Sequence, residues 1–175
     1  LLEEAARRDP EFADARHALG GLYDLRDNFH GMVREWSAVL ELDVAADDAD
    51  SLETEAALDH ISQVAESVLE SLPAEFREPL RNVPIVLESR PHAGVVKEGF
   101  DPRALGLFEG TEQAHSADIE LPVTAPTRIV LFTANLLASF HDRHRLEEEI
   151  EVTLLHEIGH YFGLDEDQVD ALGLG

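Results

Sequence analysis

The 175-residue sequence contains no cysteine, which excludes a disulfide scaffold, a cysteine nucleophile and any thiolate zinc site. Any metal must therefore be held by histidine, aspartate or glutamate. Basic residues are also scarce, since 13 Lys and Arg stand against 37 Asp and Glu, for a net charge of −24. This balance excludes the basic surface with which proteins displace counterions from nucleic acids, and it opposes docking on an anionic membrane.

Long apolar runs are missing as well. No segment approaches the roughly 18 consecutive apolar residues of a membrane-spanning helix, and no basic-then-apolar signal segment is visible. The sequence therefore favours a cytoplasmic protein whose partners are peptides or proteins, with no nucleic acid and no membrane. Because 44% of its residues are hydrophobic, the chain can still bury a core.

Residues 1–46 are predicted to be helical: residues 1–8 resemble the tail of one helix, which Asp9-Pro10 stops, and two further helices follow. Apolar side chains recur three and four positions apart, with a break at Asp27-Asn28. The element Leu19-Gly20-x-x-Tyr23, followed by Trp36, is similar to one tetratricopeptide repeat, although Met32 and Val39 stand where that repeat has alanine. The resemblance implies a helical hairpin that binds a protein partner.

The aspartate-rich stretch from Asp43 to Asp50 predicts a solvated connector. We therefore place a domain boundary there, with a tetratricopeptide-like helical segment at residues 1–46 and a second domain at residues 51–175.

The second domain is predicted to be α+β. Residues 52–71, 135–140 and 146–162 have helical patterns, and residues 111–127 have the turn signals of a loop. Three short segments are rich in β-branched and aromatic residues or are bracketed by glycine, which predicts strands: Val83–Glu88, Gly106–Gly110 and Arg128–Phe132. The glycine-bracketed segment is expected at an edge of the sheet.

The segment His156-Glu157-Ile158-Gly159-His160 carries the chemistry. Histidines four residues apart share one face of a helix, so both imidazoles can bind one Zn²⁺. Glu157 then lies beside the metal, where it can accept a proton from an activated water. This arrangement predicts metal-assisted hydrolysis of an amide.

A third ligand is expected shortly after the helix. Gly163 ends the helix and lets the chain turn back, and Glu166 follows ten residues after His156. Two histidines and a carboxylate form a competent zinc set with an open position for water. Asp165 and Asp170 are rivals to Glu166 for this position.

The order of His156, Glu157, His160, Gly163 and Glu166 resembles the metzincin arrangement with an acid in place of the third histidine. More closely, residues 52–175 resemble a small bacterial zincin-like family of minimal metallopeptidases. The resemblance is carried by Leu72–Phe76, Leu105–Gly110, Arg128–Phe132 and Val152–Leu164. It implies a minimal zincin-like core, in which a small mixed sheet packs with an active-site helix, with zinc on His156 and His160 and Glu157 as the base.

Two functions follow as hypotheses. The first is a zinc metallopeptidase that hydrolyses peptide bonds, with basic peptides favoured by nine acids and no Lys or Arg between residues 147 and 170. The alternative is a non-catalytic module that binds peptides or proteins by combining a helical repeat with a zincin fold.

Overall fold

A computed structural model describes residues 2–49, 52–110, 127–165 and 167–168. The elements within these residues are α1 (Leu2–Arg8), α2 (Ala13–Asp24), α3 (Phe29–Ala49), α4 (Glu55–Ser71), α5 (Ala74–Leu80), β1 (Ile85–Glu88), α6 (Ala93–Lys97), β2 (Gly106–Glu109), β3 (Arg128–Phe132), α7 (Thr133–Ser139) and α8 (Arg143–Tyr161). Eight helices and a three-stranded sheet in the described part of the chain confirm the α+β prediction.

The chain divides into two compact units. The first contains residues 1–52 together with residues 90–104, and the second contains residues 53–89 and 105–175. Residues 90–104, which the sequence assigned to the second domain, therefore group with the N-terminal helices.

Helices α2 and α3 pack closely because glycine faces an aromatic ring. A Cβ atom on Gly20 would lie only 2.2 Å from the Trp36 ring, so the indole occupies the space that a side chain at position 20 would need. Trp36 also joins Met32, Leu40 and Val96 in a buried apolar cluster. The helical pair at residues 13–49 agrees with the periodicity, whereas its assignment as a tetratricopeptide repeat stays a prediction.

The connector predicted between Asp43 and Asp50 is wrong over residues 43–49, because α3 continues to Ala49. Two of its aspartates pair with arginines that lie far along the chain. Asp47 Oδ1 accepts a hydrogen bond from Arg90 Nη2 at 2.9 Å, and Asp43 Oδ2 accepts one from Arg103 Nε at 2.8 Å. These ion pairs attach residues 90–104 to α3 at both ends of the segment.

The second unit is built on a sheet in the order β1-β3-β2. Strand β1 is parallel to β3, and β2 is antiparallel to β3, so that β2 lies at an edge of the sheet that the described residues form, as predicted. Alternate residues of β3 point to the same face, where Ile129 and Leu131 pack with α4 and α8. The buried core on this face also includes Ile61, Ala65, Val68, Leu80, Leu136, Leu146, Ile150, Leu154, Ile158 and Tyr161.

Helix α8 begins at Arg143, three residues before its predicted start. The Asp142 side chain caps it by accepting a hydrogen bond from the Arg145 N–H at 3.0 Å, which satisfies a donor that has no partner within the helix. In the described part of the chain, no helix is both long and apolar enough to span a membrane.

The contact between Gly20 and Trp36 predicts opposite effects at two adjacent glycines of α2. Gly20→Ala should lower the free energy of unfolding by about 1–3 kcal/mol, because the new methyl group collides with the indole. Gly21→Ala is the matched control, since no atom lies within 4 Å of the point that its new methyl group would occupy, and alanine at a helical site should stabilise by about 0.5–1 kcal/mol. Urea unfolding followed by the fluorescence of Trp36, the single tryptophan, measures both. Equal effects at the two positions would contradict the proposed packing.

Candidate metal centre

Helix α8 is oriented by its apolar face. Ile150, Leu154 and Ile158 recur every four residues and are at most 5% exposed, so this stripe fixes the rotation of the helix against the core. The same rotation leaves His156 and His160 half-buried and places Glu157 in a buried position. The three residues predicted to carry the chemistry thus lie on one helix whose orientation the core determines.

The two predicted histidine ligands converge. Their Nε2 atoms lie 3.0 Å apart, and their ring centroids are 4.7 Å apart. Two nitrogens bound to one tetrahedral zinc at about 2.0–2.1 Å would lie roughly 3.3 Å from each other, so the pair already has nearly the required spacing. The donor set and its spacing fit a zinc ion.

Helix α8 ends in a turn that contains Gly163. Gly163 has a φ of +80°, a left-handed conformation that glycine adopts readily. The Gly163 N–H donates to the His160 carbonyl at 2.9 Å, and the Leu164 N–H donates to the Gly159 carbonyl at 3.1 Å, which is the Schellman pattern of helix termination.

This turn brings the Leu164 carbonyl to 3.1 Å from His160 Nδ1. Because a carbonyl only accepts, Nδ1 must carry the proton, and Nε2 then presents the lone pair that a metal requires. The glycine stop that the sequence predicted thus also orients a predicted ligand, through a backbone contact that the motif alone did not indicate.

Glu157 is held against the edge strand. It is 8% exposed, and its Oε2 accepts a hydrogen bond from the Phe108 N–H at 2.7 Å. Leu105, the residue before β2, forms a hydrogen bond with β3, since its carbonyl accepts from the Phe132 N–H at 2.8 Å. Backbone groups of successive residues in a strand point alternately to opposite sides. The N–H of Phe108, three residues later, therefore points away from β3 and towards the Glu157 carboxylate.

Gly106 provides the space for this carboxylate. A Cβ atom at position 106 would lie 2.7 Å from Thr153 Cγ2 and 3.1 Å from Glu157 Cγ and Oε1. Any larger residue would displace either the edge strand or the glutamate. The glycine bracket of this strand was visible in the sequence, but its role in seating Glu157 was not.

Glu166, the predicted third ligand, and its rival Asp170 lie outside the described residues. Asp165 is exposed, and its Oδ1 accepts a hydrogen bond from the Gln168 N–H at 2.9 Å in a local turn. Within the described ranges, no third His, Asp or Glu joins the histidine pair in a metal-binding cluster.

Comparison with protein families decides the assignment of this chain. The profile of the zincin-like metallopeptidase family matches residues 80–175, more than half of the sequence. The chain belongs to the zincin-like metallopeptidase family. The matched region contains the whole sheet and all of α8, and membership supports a zinc-dependent peptide hydrolase in general terms. A search of curated proteins gives no match.

Two other histidines that the structure describes, His92 and His144, have contacts outside the candidate site. His144 is exposed, and its Nδ1 lies 3.2 Å from Oε1 of Glu148. His92 caps α6 by accepting a hydrogen bond from the Gly94 N–H at 3.1 Å. His115, a further loop histidine in the sequence, lies outside the described residues.

The turn at Gly163 predicts a measurable tautomer. In metal-free protein at pH 8, the neutral ring of His160 should carry its proton on Nδ1, because that atom donates to the Leu164 carbonyl. Gly163→Ala forces a residue with a Cβ into the left-handed conformation, at a cost of about 1–2 kcal/mol, and should mix the two tautomers. Long-range ¹H–¹⁵N correlation of the imidazole nitrogens reports the tautomer directly.

Gly163→Asn is the matched variant, since asparagine adopts the left-handed conformation more readily than alanine. It should retain more of the Nδ1 tautomer than Gly163→Ala does. A wild-type ring protonated on Nε2 would rule out the role of the turn.

Proposed function

We propose that this chain is a zinc-dependent peptidase in which Glu157 acts as the general base. The convergence of His156 and His160 at 3.0 Å between their Nε2 atoms carries the proposal, together with the carboxylate that directly follows the first histidine in the chain. His156 and His160 would bind the metal through Nε2. Glu166 would complete the set, with Asp165 and Asp170 as the other carboxylates within reach in the sequence.

A zinc ion bound here would polarise the substrate carbonyl and lower the pKa of a bound water to about 7. Glu157 would accept the proton of the attacking water and then transfer it to the departing amine. Its hydrogen bond from the Phe108 N–H holds Oε2, so the carboxylate does not have to be ordered during the reaction. Gly106 serves the same purpose by leaving room for the side chain.

The acidic residues around the candidate site affect which peptides it would bind. The nine acids between residues 147 and 170 include Glu147, Glu148 and Glu151 on α8, and this interval contains no Lys or Arg. A bound dication would offset only part of this charge, so the local field favours basic peptides over acidic ones.

Metal binding should depend on the histidine pair. Wild-type protein should bind one zinc per chain at neutral pH, and His156→Ala or His160→Ala should lose stoichiometric binding because one imidazole is too few for the site. His144→Ala is the control, since this exposed histidine lies on the same helix and contacts Glu148. Metal analysis after dialysis measures the ratio, and equal zinc content in all four proteins would reject the assigned ligands.

Catalysis should depend on Glu157 separately from the metal. Glu157→Gln retains a side-chain oxygen that can accept from the Phe108 N–H, so fold and zinc content should be preserved while kcat falls by about 10²–10⁴. Glu151→Gln makes the same change of charge at an exposed position of α8 and should leave kcat unchanged. A quenched-fluorescence peptide library, with and without chelator, measures the rates.

The two proposed functions separate in that experiment. Cleavage that is lost with Glu157→Gln and with chelator supports the peptidase. A wild-type protein that binds zinc but cleaves no peptide would instead support the non-catalytic binding module.

A further inference from the structure

The N-terminal unit contains a cavity of about 330 Å³ formed by residues of α1, α2 and α3. Arg7, Arg16 and Arg34 all line it, although residues 1–50 contain only five basic side chains. Glu3 and Glu35 are the acids of the lining, so the five charged groups sum to +1. In a chain with a net charge of −24, this lining differs from the average composition because it has more arginines than acids, although Glu4, just outside the lining, pairs with Arg7.

Glu35 fixes two of these arginines. It is 4% exposed, and its two oxygens accept from different guanidinium groups: Oε2 from Arg16 Nη1 and Oε1 from Arg34 Nη2, each at 2.7 Å. The buried carboxylate neutralises one positive charge and orders both side chains. A ligand that binds to them would therefore lose less conformational entropy than one that must order free arginines.

The guanidinium groups of Arg16 and Arg34 still have N–H donors that could bind a ligand. Arg16 also donates from Nε to the Pro10 carbonyl at 2.6 Å, and its side chain is 20% exposed. Arg34 is 65% exposed and lies over the ring of Tyr23, with its Cζ 5.8 Å from the centroid. A guanidinium has five N–H donors, which is more than these bonds use.

We propose that this cavity binds a carboxylate group of an acidic peptide. The planar fork of an arginine matches a carboxylate, which can accept two parallel hydrogen bonds from it. A monoanion suits the site better than a phosphate dianion, because Glu3, Glu4 and Glu35 lie beside the arginines and would repel the second charge. Leu19 and Ala6 add apolar wall, and the volume accommodates one or two residues of a peptide.

A purely structural role explains the arginines less well. The ion pair between Arg34 and Glu35 should add little to stability, because the Arg34 side chain is 65% exposed and water screens its charge. A structural role for Arg16, Arg34 and Glu35 also leaves the solvent-open cavity beside them unexplained. The carboxylate site explains the buried glutamate, the accessible arginines and the cavity together, and it does not depend on the peptidase activity.

The test is calorimetric titration of the full chain with matched peptides. The first pair is acetyl-Gly-Gly-Glu-Gly-Gly-amide and its glutamine analogue, and the second pair is acetyl-Gly-Gly-Leu with a free C terminus and its amide. Inorganic phosphate is the fifth probe. At least one carboxylate peptide should bind about tenfold more tightly than its neutral partner. A difference in the first pair indicates that the site binds a side-chain carboxylate, and a difference in the second pair indicates a terminal carboxylate.

Variants then locate the site. Arg34→Gln should abolish the preference for the carboxylate, whereas Arg26→Gln should retain it, because Arg26 is exposed, does not line the cavity and carries the same charge. Since Arg34→Gln also removes a partner of buried Glu35, Arg7→Gln provides a second test at a side chain that is 75% exposed. It should weaken binding by about threefold without changing the unfolding midpoint.

Three results would overturn the proposal. They are equal affinity for the charged and neutral member of both pairs, equal loss in Arg34→Gln and Arg26→Gln, and tighter binding of phosphate than of either carboxylate peptide.

Discussion

The second unit depends on the way α8 packs against the sheet. The apolar stripe of Ile150, Leu154 and Ile158 is buried against β3, and this packing fixes which side of the helix meets the edge strand. Glu157 then meets the N–H of Phe108 at 2.7 Å, in the space that Gly106 leaves open. One packing arrangement thereby satisfies the core, uses a backbone donor at the sheet edge and orients the carboxylate beside the histidine pair.

The end of the same helix contributes a second constraint. A Schellman turn at Gly163 satisfies the last carbonyls of α8 and directs the Leu164 carbonyl to His160 Nδ1. The residue that stops the helix therefore also fixes the tautomer of His160, a predicted ligand. The candidate metal-binding face is thus ordered by two contacts, one from the edge strand to Glu157 and one from the turn to His160.

The parts of this fold that local sequence controls were predictable. A four-residue spacing within a helix brings His156 and His160 together whatever the rest of the chain does, and β-branched residues indicated β3 with its correct bounds. The distant contacts were not predictable. Asp43 and Asp47 resembled a solvated connector because their partners, Arg90 and Arg103, follow about forty to sixty residues later, and no periodic pattern records such pairs.

The candidate site likewise has parts that the sequence predicts and parts that it does not. Residue types and spacing identified both histidines and Glu157, since those follow from one helix. The Phe108 N–H and the Leu164 carbonyl escaped detection because backbone groups have no signature in a sequence. Only their glycines, Gly106 and Gly163, hinted at them, and a glycine indicates room or a turn without saying what occupies it.

We propose above all that His156 and His160 bind a single zinc ion through Nε2. X-ray absorption spectroscopy of the zinc-loaded protein tests it most directly, because outer-shell scattering counts imidazole rings. Two imidazoles and additional oxygen ligands, with nitrogen distances of about 2.0–2.1 Å, are the predicted result. A zinc ion with one imidazole or none would contradict the account.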